Sequence, residues 1–359
     1  MSKLNREVTY HLNPLIRGTW EGKSGFILQN ILTKKKYTFS HPIFSLLLYC
    51  SKTRSYNQLV DHISDDLAIN KSEARAILNN LINIGVLDKS NQETFNIWFD
   101  RNWRNALYFH LLTSDNDFID KGQENEEEIK SNVLSTYLKQ SPLPSFYKKY
   151  KKNTKSIRLP RPFMESTSVD DILFRRRTTR KFSEKPISLK QLSTILYYSC
   201  QPLKLVRDYA MLKRREHPII LVLSSYTPFE VYFYANNVTN LTKGLYHYNM
   251  RTHSISLLKK GVYNKEMKKI AIGQGVENAS VVFLISSIFE RYMWRYRNSR
   301  AYRNLLIECS SLAQRIILVT VAVNLRQFLT PAIRDSRADN LFGLDGYSEA
   351  FNYLIAVGN

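Results

Sequence analysis

From Val8 to Phe39 apolar and polar residues alternate around turn signals, the period of two expected of short, half-buried strands. His41–Cys50 then carries an apolar stretch of helical character, and two segments with capping signatures follow. Ser55 stands three residues before Gln58, ahead of Leu59, Val60, Ile63 and Leu67. Asn70 stands three before Glu73, ahead of Ala74, Ile77, Leu78, Leu81 and Ile82. An oxygen at the cap accepts a free amide proton of the first turn, and the Gln or Glu returns the bond, so both stretches are predicted helices, the second stopping at Gly85. Three short helices closed by Gly85-Val86-Leu87, before a turn at Asp88–Asn91, outline a winged-helix-like domain over residues 1–92.

The pattern loosens between Thr94 and Pro162, where an acidic patch (Glu124, Glu126, Glu127, Glu128), Pro142, Pro144 and a basic cluster (Lys148, Lys149, Lys151, Lys152) succeed one another. Residues 93–165 therefore read as a linker, with Trp98, Trp103, Tyr108 and His110 marking a packed aromatic segment. Order returns at Ser168. Ser188 and Gln191 cap a helix through Leu192, Ile195 and Leu196, and strands are predicted at Ile219–Leu223, Glu230–Tyr234 and Val281–Ser286. A long helix at about Asn304–Asn324 aligns Leu305, Cys309, Leu312, Ile316, Thr320 and Val323 on one face. With a last strand at Tyr353–Val357, residues 166–359 make an α+β domain.

Composition agrees with two domains, since 359 residues with 43% hydrophobic and 23% charged side chains support sizeable cores. The apolar runs Val281–Phe289 and Ile316–Val323 are shorter than a bilayer crossing needs, and the first ten residues lack the apolar heart of a secretory signal. Cys50, Cys200 and Cys309 are too scattered for a disulfide framework or a metal site. A cytoplasmic protein with no membrane partner is predicted. The formal net charge of +21 changes the picture more, because it calls for an anionic partner: nucleic acid, an acidic peptide or a phosphorylated cofactor. A basic solvated surface accounts for most of it.

Three blocks could carry chemistry. In Arg175-Arg176-Arg177-Thr178-Thr179-Arg180-Lys181-Phe182, guanidinium forks and hydroxyls suit a phosphate, although such a run alone is more often a solvated face. Lys243-Gly244-Leu245-Tyr246-His247-Tyr248-Asn249 reads as a glycine turn leading into a strand, with His247 structural. In Trp294-Arg295-Tyr296-Arg297, cations surround a phenol whose phenolate they can stabilise; an exposed basic helix start explains that block as well.

The order and spacing of these blocks resemble the flavin dehydrogenases of thiazole- and oxazole-modified peptide pathways, a branch of the nitroreductase superfamily. In that family a segment of the form Arg-Arg/His-Ser-x-Arg/Lys-x-Phe grips the phosphate and ribityl chain of FMN, which corresponds to Arg176, Arg177, Thr178, Arg180 and Phe182. Glu230-Val231-Tyr232, Gly244 through Tyr248, and the closing Leu341-Phe342-Gly343-Leu344-Asp345, Glu349 and Val357-Gly358 match further motifs. The glycine-rich loop of the family falls on Leu221-Val222-Leu223-Ser224, making Ser224 and Ser225 the flavin-side residues, and its catalytic Lys-Tyr pair falls on Arg295-Tyr296. The resemblance implies a nitroreductase-like FMN domain behind a peptide-clamping or docking domain. It implies a homodimer that oxidises azoline-containing precursor peptides alongside a cyclodehydratase complex, with Tyr296 handling a proton and Arg295 easing its ionisation. An alternative is a flavin-degenerate scaffold or leader-peptide-binding subunit of the same complex. A nucleic-acid-binding regulator ranks behind both.

Overall fold

The computed structural model describes residues 8–20, 26–38, 43–89, 93–114, 124–149, 156–216 and 227–359. The chain divides into two compact units, 1–116 and 117–359.

In the first unit, β1 (Thr9–Leu12) lies between β5 (Arg54–Ser55) and β6 (Leu87–Asp88), antiparallel to both, while β2 (Ile16–Trp20), β3 (Phe26–Asn30) and β4 (Lys36–Thr38) form an antiparallel meander. The helices are α1 (Ile43–Tyr49), α2 (Tyr56–Leu67) and α3 (Lys71–Asn83), and both capping boxes, Ser55 with Gln58 and Asn70 with Glu73, are formed. Their apolar stripes meet: Leu59, Val60, Ile63, Ala74, Leu78 and Leu81 are buried with Tyr10, Leu28 and Leu46. Part of the stretch read as linker is helical, as α4 (Glu93–Asp100) and α5 (Arg104–Thr113). Phe95, Trp98, Phe99 and Tyr108 from it pack against Leu15, Ile31 and Leu107, and the Tyr108 hydroxyl donates to the Pro14 carbonyl at 2.6 Å.

The second unit opens with α6 (Glu126–Gln140) and β7 (Ser156–Arg158), followed by α7 (Val169–Arg175) and α8 (Leu189–Lys213). The Ser188–Gln191 capping box starts α8. A seven-stranded antiparallel sheet organises the rest, from β8 (Phe229–Ala235), β9 (Gly244–Asn249), β10 (Ser254–Lys260), β11 (Val281–Ile288), β12 (Arg326–Thr330) and β13 (Glu349–Gly358), in the order β12-β13-β11-β8-β9-β10-β7. The strand predicted at Ile219–Leu223 lies outside the described residues.

Alternation puts Val231, Phe233, Tyr246, Val281, Phe283, Ile285 and Ile355 on one face, packed against α8 and against α11 (Arg300–Ala322) through Leu192, Leu196, Leu305, Cys309, Leu312 and Ile316. Tyr232, Tyr234, Leu245, Val282, Leu284 and Leu354 cover the other, beneath α9 (Asn264–Ile270) and α12 (Asp335–Phe342). Helices on both faces explain why β8 and β11 read as nearly unbroken apolar runs. By length and composition α11 could cross a bilayer, but half of its most apolar window is buried inside the protein, as the central helix of a globular core would be. Gly244 is not the turn residue the sequence suggested. It opens β9, paired with Ala235 and Lys260, where a β-carbon would lie 2.7 Å from the Lys259 carbonyl oxygen beside an irregularity in β10.

Candidate functional site

The arginine-threonine segment follows α7 and runs along the outer edge of β12. Thr178 bridges Gln327, the Thr179 amide donates to the Gln327 carbonyl at 2.9 Å, and the Gln327 side-chain amide donates to the Arg177 carbonyl at 3.3 Å. Phe182 anchors the far end in the core. From the other side Gly275 presses on Arg180, where an added β-carbon would stand 2.4 Å from the Arg180 carbonyl oxygen. The backbone is thus clamped while its side chains face outward: Arg177 and Arg180 are exposed and Arg176 half-buried. The Arg180 guanidinium lies 4.7 Å above the Phe328 ring, and Arg177 donates to the Arg176 carbonyl at 3.1 Å and lies 5.9 Å over the Phe174 ring. Among the described residues no carboxylate neutralises Arg176, Arg177 or Arg180, whereas the neighbouring Arg175 is paired with Asp171 at 2.7 Å. Three uncompensated cations on a pre-formed backbone fit a phosphate-bearing group such as FMN. Ser224 and Ser225 lie outside the described residues.

Tyr296 sits elsewhere. It follows α10 (Phe289–Met293) and lines a 660 Å³ cleft with Phe289, Tyr292, Trp294, Tyr302 and Leu305. Its ring leans on Tyr292 at 4.7 Å, and Tyr292 donates to Glu308 at 2.9 Å. The Arg295 guanidinium lies 5.7 Å over the Tyr296 ring, so its field reaches the phenol through the ring face.

The arginine segment and Tyr296 are at opposite ends of the unit. Strand register shows it: Gln327 pairs with Val357, which pairs with Val281 at the start of β11, whereas Tyr296 comes after Ile288 at its end. The 23-residue helix α11, about 34 Å long, runs between the same two ends. One chain does not bring the two groups together.

A third assembly, which sequence reasoning missed, lies at the Tyr296 end of the sheet. Glu230, 2% exposed, accepts from Arg291 at 2.6 Å and Arg207 at 3.2 Å, and contacts His247 Nε2 at 3.0 Å. Arg207 also donates to the Thr227 and Phe229 carbonyls at 2.7 and 2.6 Å, and Arg291 to the Ser145 carbonyl at 2.8 Å. Burial alone would raise the Glu230 carboxyl, but Arg207, Arg291 and the His247 bond overcome it and hold the group well below the usual carboxylate range. Beside it Glu349 accepts from Ser286 at 2.6 Å and Tyr232 at 2.9 Å and pairs with Lys148. Glu230, Tyr232, His247 and Glu349 all belong to the motifs that carried the resemblance. Their chemistry here is internal: the carboxylates are saturated by the protein's own donors. Arg291 and Ser145 tie this network to α10 and hence to the wall of the aromatic cleft.

Residues 173–359, about half of the chain, match the model of the nitroreductase family. The chain belongs to the nitroreductase family. Members of that family typically bind flavin mononucleotide, in keeping with the arginine segment. A trifolitoxin operon protein, TfxC, from Rhizobium leguminosarum bv. trifolii is 26% identical over 351 residues, covering 92% of this chain and 95% of that protein. A putative nitroreductase, MJ1384, from Methanocaldococcus jannaschii is 24% identical over 187 residues, covering 52% of this chain and 89% of its own. Among solved structures, a chain of the E. coli microcin synthetase McbBCD complex with truncated pro-MccB17 bound aligns at 17% identity and a TM-score of 0.38, covering 65% of this chain and 93% of that one.

Proposed function

We propose that this protein is an FMN-dependent dehydrogenase that oxidises thiazoline or oxazoline rings of a precursor peptide to thiazoles or oxazoles. The observation that carries the reading is the reach of one similarity. The match to the trifolitoxin operon protein spans nearly the whole of both chains, N-terminal unit included, whereas the match to MJ1384 spans little more than the nitroreductase-family region. A toxin operon supplies a peptide context, and the family supplies redox chemistry.

In this reading Arg176, Arg177, Thr178 and Arg180 hold the phosphate and ribityl chain, with Ser224 and Ser225 nearer the ring. Bound there, FMN supplies a two-electron acceptor for hydride. Tyr296 takes the proton that leaves the ring carbon alpha to the carbonyl. Arg295, a cation that cannot itself act as base, favours the phenolate. Because the two groups lie at opposite ends of one chain, a single flavin meets both only when two copies contribute, and the working unit is a homodimer. Its substrate comes from a cyclodehydratase, since a ring must close before it can be aromatised, and the N-terminal unit serves as winged-helix-like clamp or docking surface within that complex.

The test is the visible spectrum of the purified protein followed by turnover of an azoline peptide. Tyr296→Phe should keep the flavin spectrum and lower azole formation about 10²–10⁴-fold, the usual contribution of a proton-transfer group. Full activity in that variant removes Tyr296 from the mechanism. A protein that stays colourless in excess FMN is instead a non-catalytic subunit of such a complex.

A further inference from the structure

To take a proton from a bound ring, Tyr296 needs more than a cation beside it: its phenol must be held in one orientation. The Tyr296 amide donates to the Tyr292 carbonyl at 3.0 Å, so the two residues stand one turn apart on the same side, with ring centroids 4.7 Å apart and planes inclined at 44°. Tyr292 is 2% exposed and belongs to the core with Leu305 and Cys309 of α11, whereas Tyr296 is only half-buried and packs against that core from its edge. The ring of Tyr296 therefore takes its orientation from the ring of Tyr292.

Tyr292 is tied down at its far end. Its hydroxyl donates to Glu308 Oε1 at 2.9 Å, crossing from α10 to α11. A backbone carbonyl would satisfy a buried phenol at less cost, as Thr242 does for Tyr246 at 2.7 Å. Two other phenols donate to carboxylates, Tyr147 to Asp208 and Tyr232 to Glu349, and in each pair a lysine neutralises the acid, Lys204 in the first and Lys148 in the second. Glu308 differs from both. It is half-buried, and among the described residues no Lys, Arg or His pairs with it. Burial raises its carboxyl above the ordinary range, and the bond from Tyr292 offsets only part of that rise. A half-buried acid without a cation costs stability. What it supplies in return is an undivided, charge-assisted hydrogen bond to the phenol on which Tyr296 leans.

We propose that Glu308 is a positioning residue for the oxidation: through the hydroxyl of Tyr292 it fixes the ring plane of Tyr296, and with it the direction from which that phenol meets the substrate. Glu308 does not line the cleft, so it acts through Tyr292 and not on the peptide directly. The proposal rests on the reading of Tyr296 as the proton-handling group and adds to it the two residues that aim it.

The test reads orientation apart from turnover. Fluorotyrosine is placed at position 296 of the full-length protein supplied with FMN and followed by fluorine NMR, and kcat and KM for an azoline peptide are measured on the same substitutions without the label. Tyr292→Phe keeps the ring and deletes only the hydroxyl. It should broaden or split the resonance from position 296 and lower kcat about 10-fold, with KM and the FMN dissociation constant unchanged. Glu308→Leu should do the same, and the double variant no worse, since both singles break one bond. Glu308→Gln still accepts from the hydroxyl and should restore most of what Leu loses. In a Tyr296→Phe background neither substitution should lower kcat further. If Glu308→Leu does not fold, Tyr292→Phe carries the test. A wild-type kcat and an unchanged fluorine resonance in Tyr292→Phe overturn the proposal. So does a loss of kcat that persists in the Tyr296→Phe background, which would place the role of the pair elsewhere. A fully active Tyr296→Phe enzyme would remove Tyr296 from the reaction, and the proposed role of Glu308 in oxidation with it. An essential Tyr296 whose resonance ignores Glu308 and Tyr292 would instead leave the reaction standing and remove the positioning alone.

Discussion

Glu230→Gln is the change whose consequence the structure fixes most closely. The substitution keeps the shape and removes one charge from a site where Glu230, Arg207 and Arg291 are 2%, 0% and 6% exposed. Two guanidinium groups then remain inside the protein, at former distances of 2.6 and 3.2 Å from an anion that no longer exists. Breaking a buried ion pair by neutralising one partner costs about 3–5 kcal/mol, because the surviving charge keeps its desolvation penalty. For a unit of this size that lowers the melting temperature by roughly 6–20 °C. The assay is thermal unfolding followed by circular dichroism, with urea titration to show that the denaturant slope is unchanged. Acid dependence adds a second check. The folded Glu230 carboxyl titrates well below its ordinary value, so its contribution is complete above about pH 4.5 and is lost as pH falls toward the depressed value. Wild type and variant should therefore differ by a constant amount near neutrality and converge only in acid. Arg207→Met should cost a comparable amount, and the double variant less than the sum, because the two singles break the same bond. A Glu230→Gln melting point within about 2 °C of wild type, roughly one-third of the smallest expected fall, would rule out an uncompensated buried charge at this position.

Two further predictions concern the arginine segment. Arg180→Ala removes a charge-assisted contact to phosphate worth about 1.5–3 kcal/mol, so the FMN dissociation constant, read by flavin fluorescence, should rise roughly 10–100-fold; retained yellow colour at low protein concentration sinks the phosphate assignment. Gly275→Ala leaves every arginine in place but drives a methyl group to 2.4 Å from the Arg180 carbonyl oxygen, so the turn must shift. Weaker FMN binding with little change in overall stability is expected, and unchanged affinity would show that the clamp does not preorganise the segment.

What the sequence revealed and what it hid divide along chain separation. Each capping box could be read because its partners are three residues apart, and β8, β11 and α11 because burial repeats at a fixed period along a single element. The Glu230 network could not be read: Arg207, Glu230, His247 and Arg291 are spread over 85 positions, and each alone is an ordinary charged residue in a basic chain. Only the sheet register, which places Tyr232 beside His247 and Glu230 beside Ser286, brings them together. The helices α5 and α6 were obscured for a different reason, since their apolar residues follow no clean stripe and α6 buries Leu134 alone, while α4 is only eight residues long.

The separation of Arg176–Arg180 from Tyr296 has the same origin and the greatest functional weight. Motif spacing counts residues, and the two motifs are joined by the strands β8 to β11, which cross the sheet repeatedly before the chain reaches Tyr296. Where a chain ends after several antiparallel crossings depends on which end of the sheet the last strand leaves from. Here β11 starts beside the Gln327 end and delivers the phenol to the other. Two motifs that look like halves of one active site therefore lie, within one copy of this fold, at opposite ends of the sheet, and the proposed reaction needs a second copy to unite them. A cofactor held by the arginines of one copy is served by a tyrosine only if the second copy brings it, so activity should vanish on dilution below the dimer dissociation constant even while FMN stays bound. At concentrations where dimers form, Tyr296→Phe chains and Arg180→Ala chains, each impaired alone, should regain activity on mixing, because the mixed dimer contains one site with both groups intact. Failure of that mixture to regain azole formation, with each variant folded and able to pair, would show that the arginines and Tyr296 never serve the same flavin.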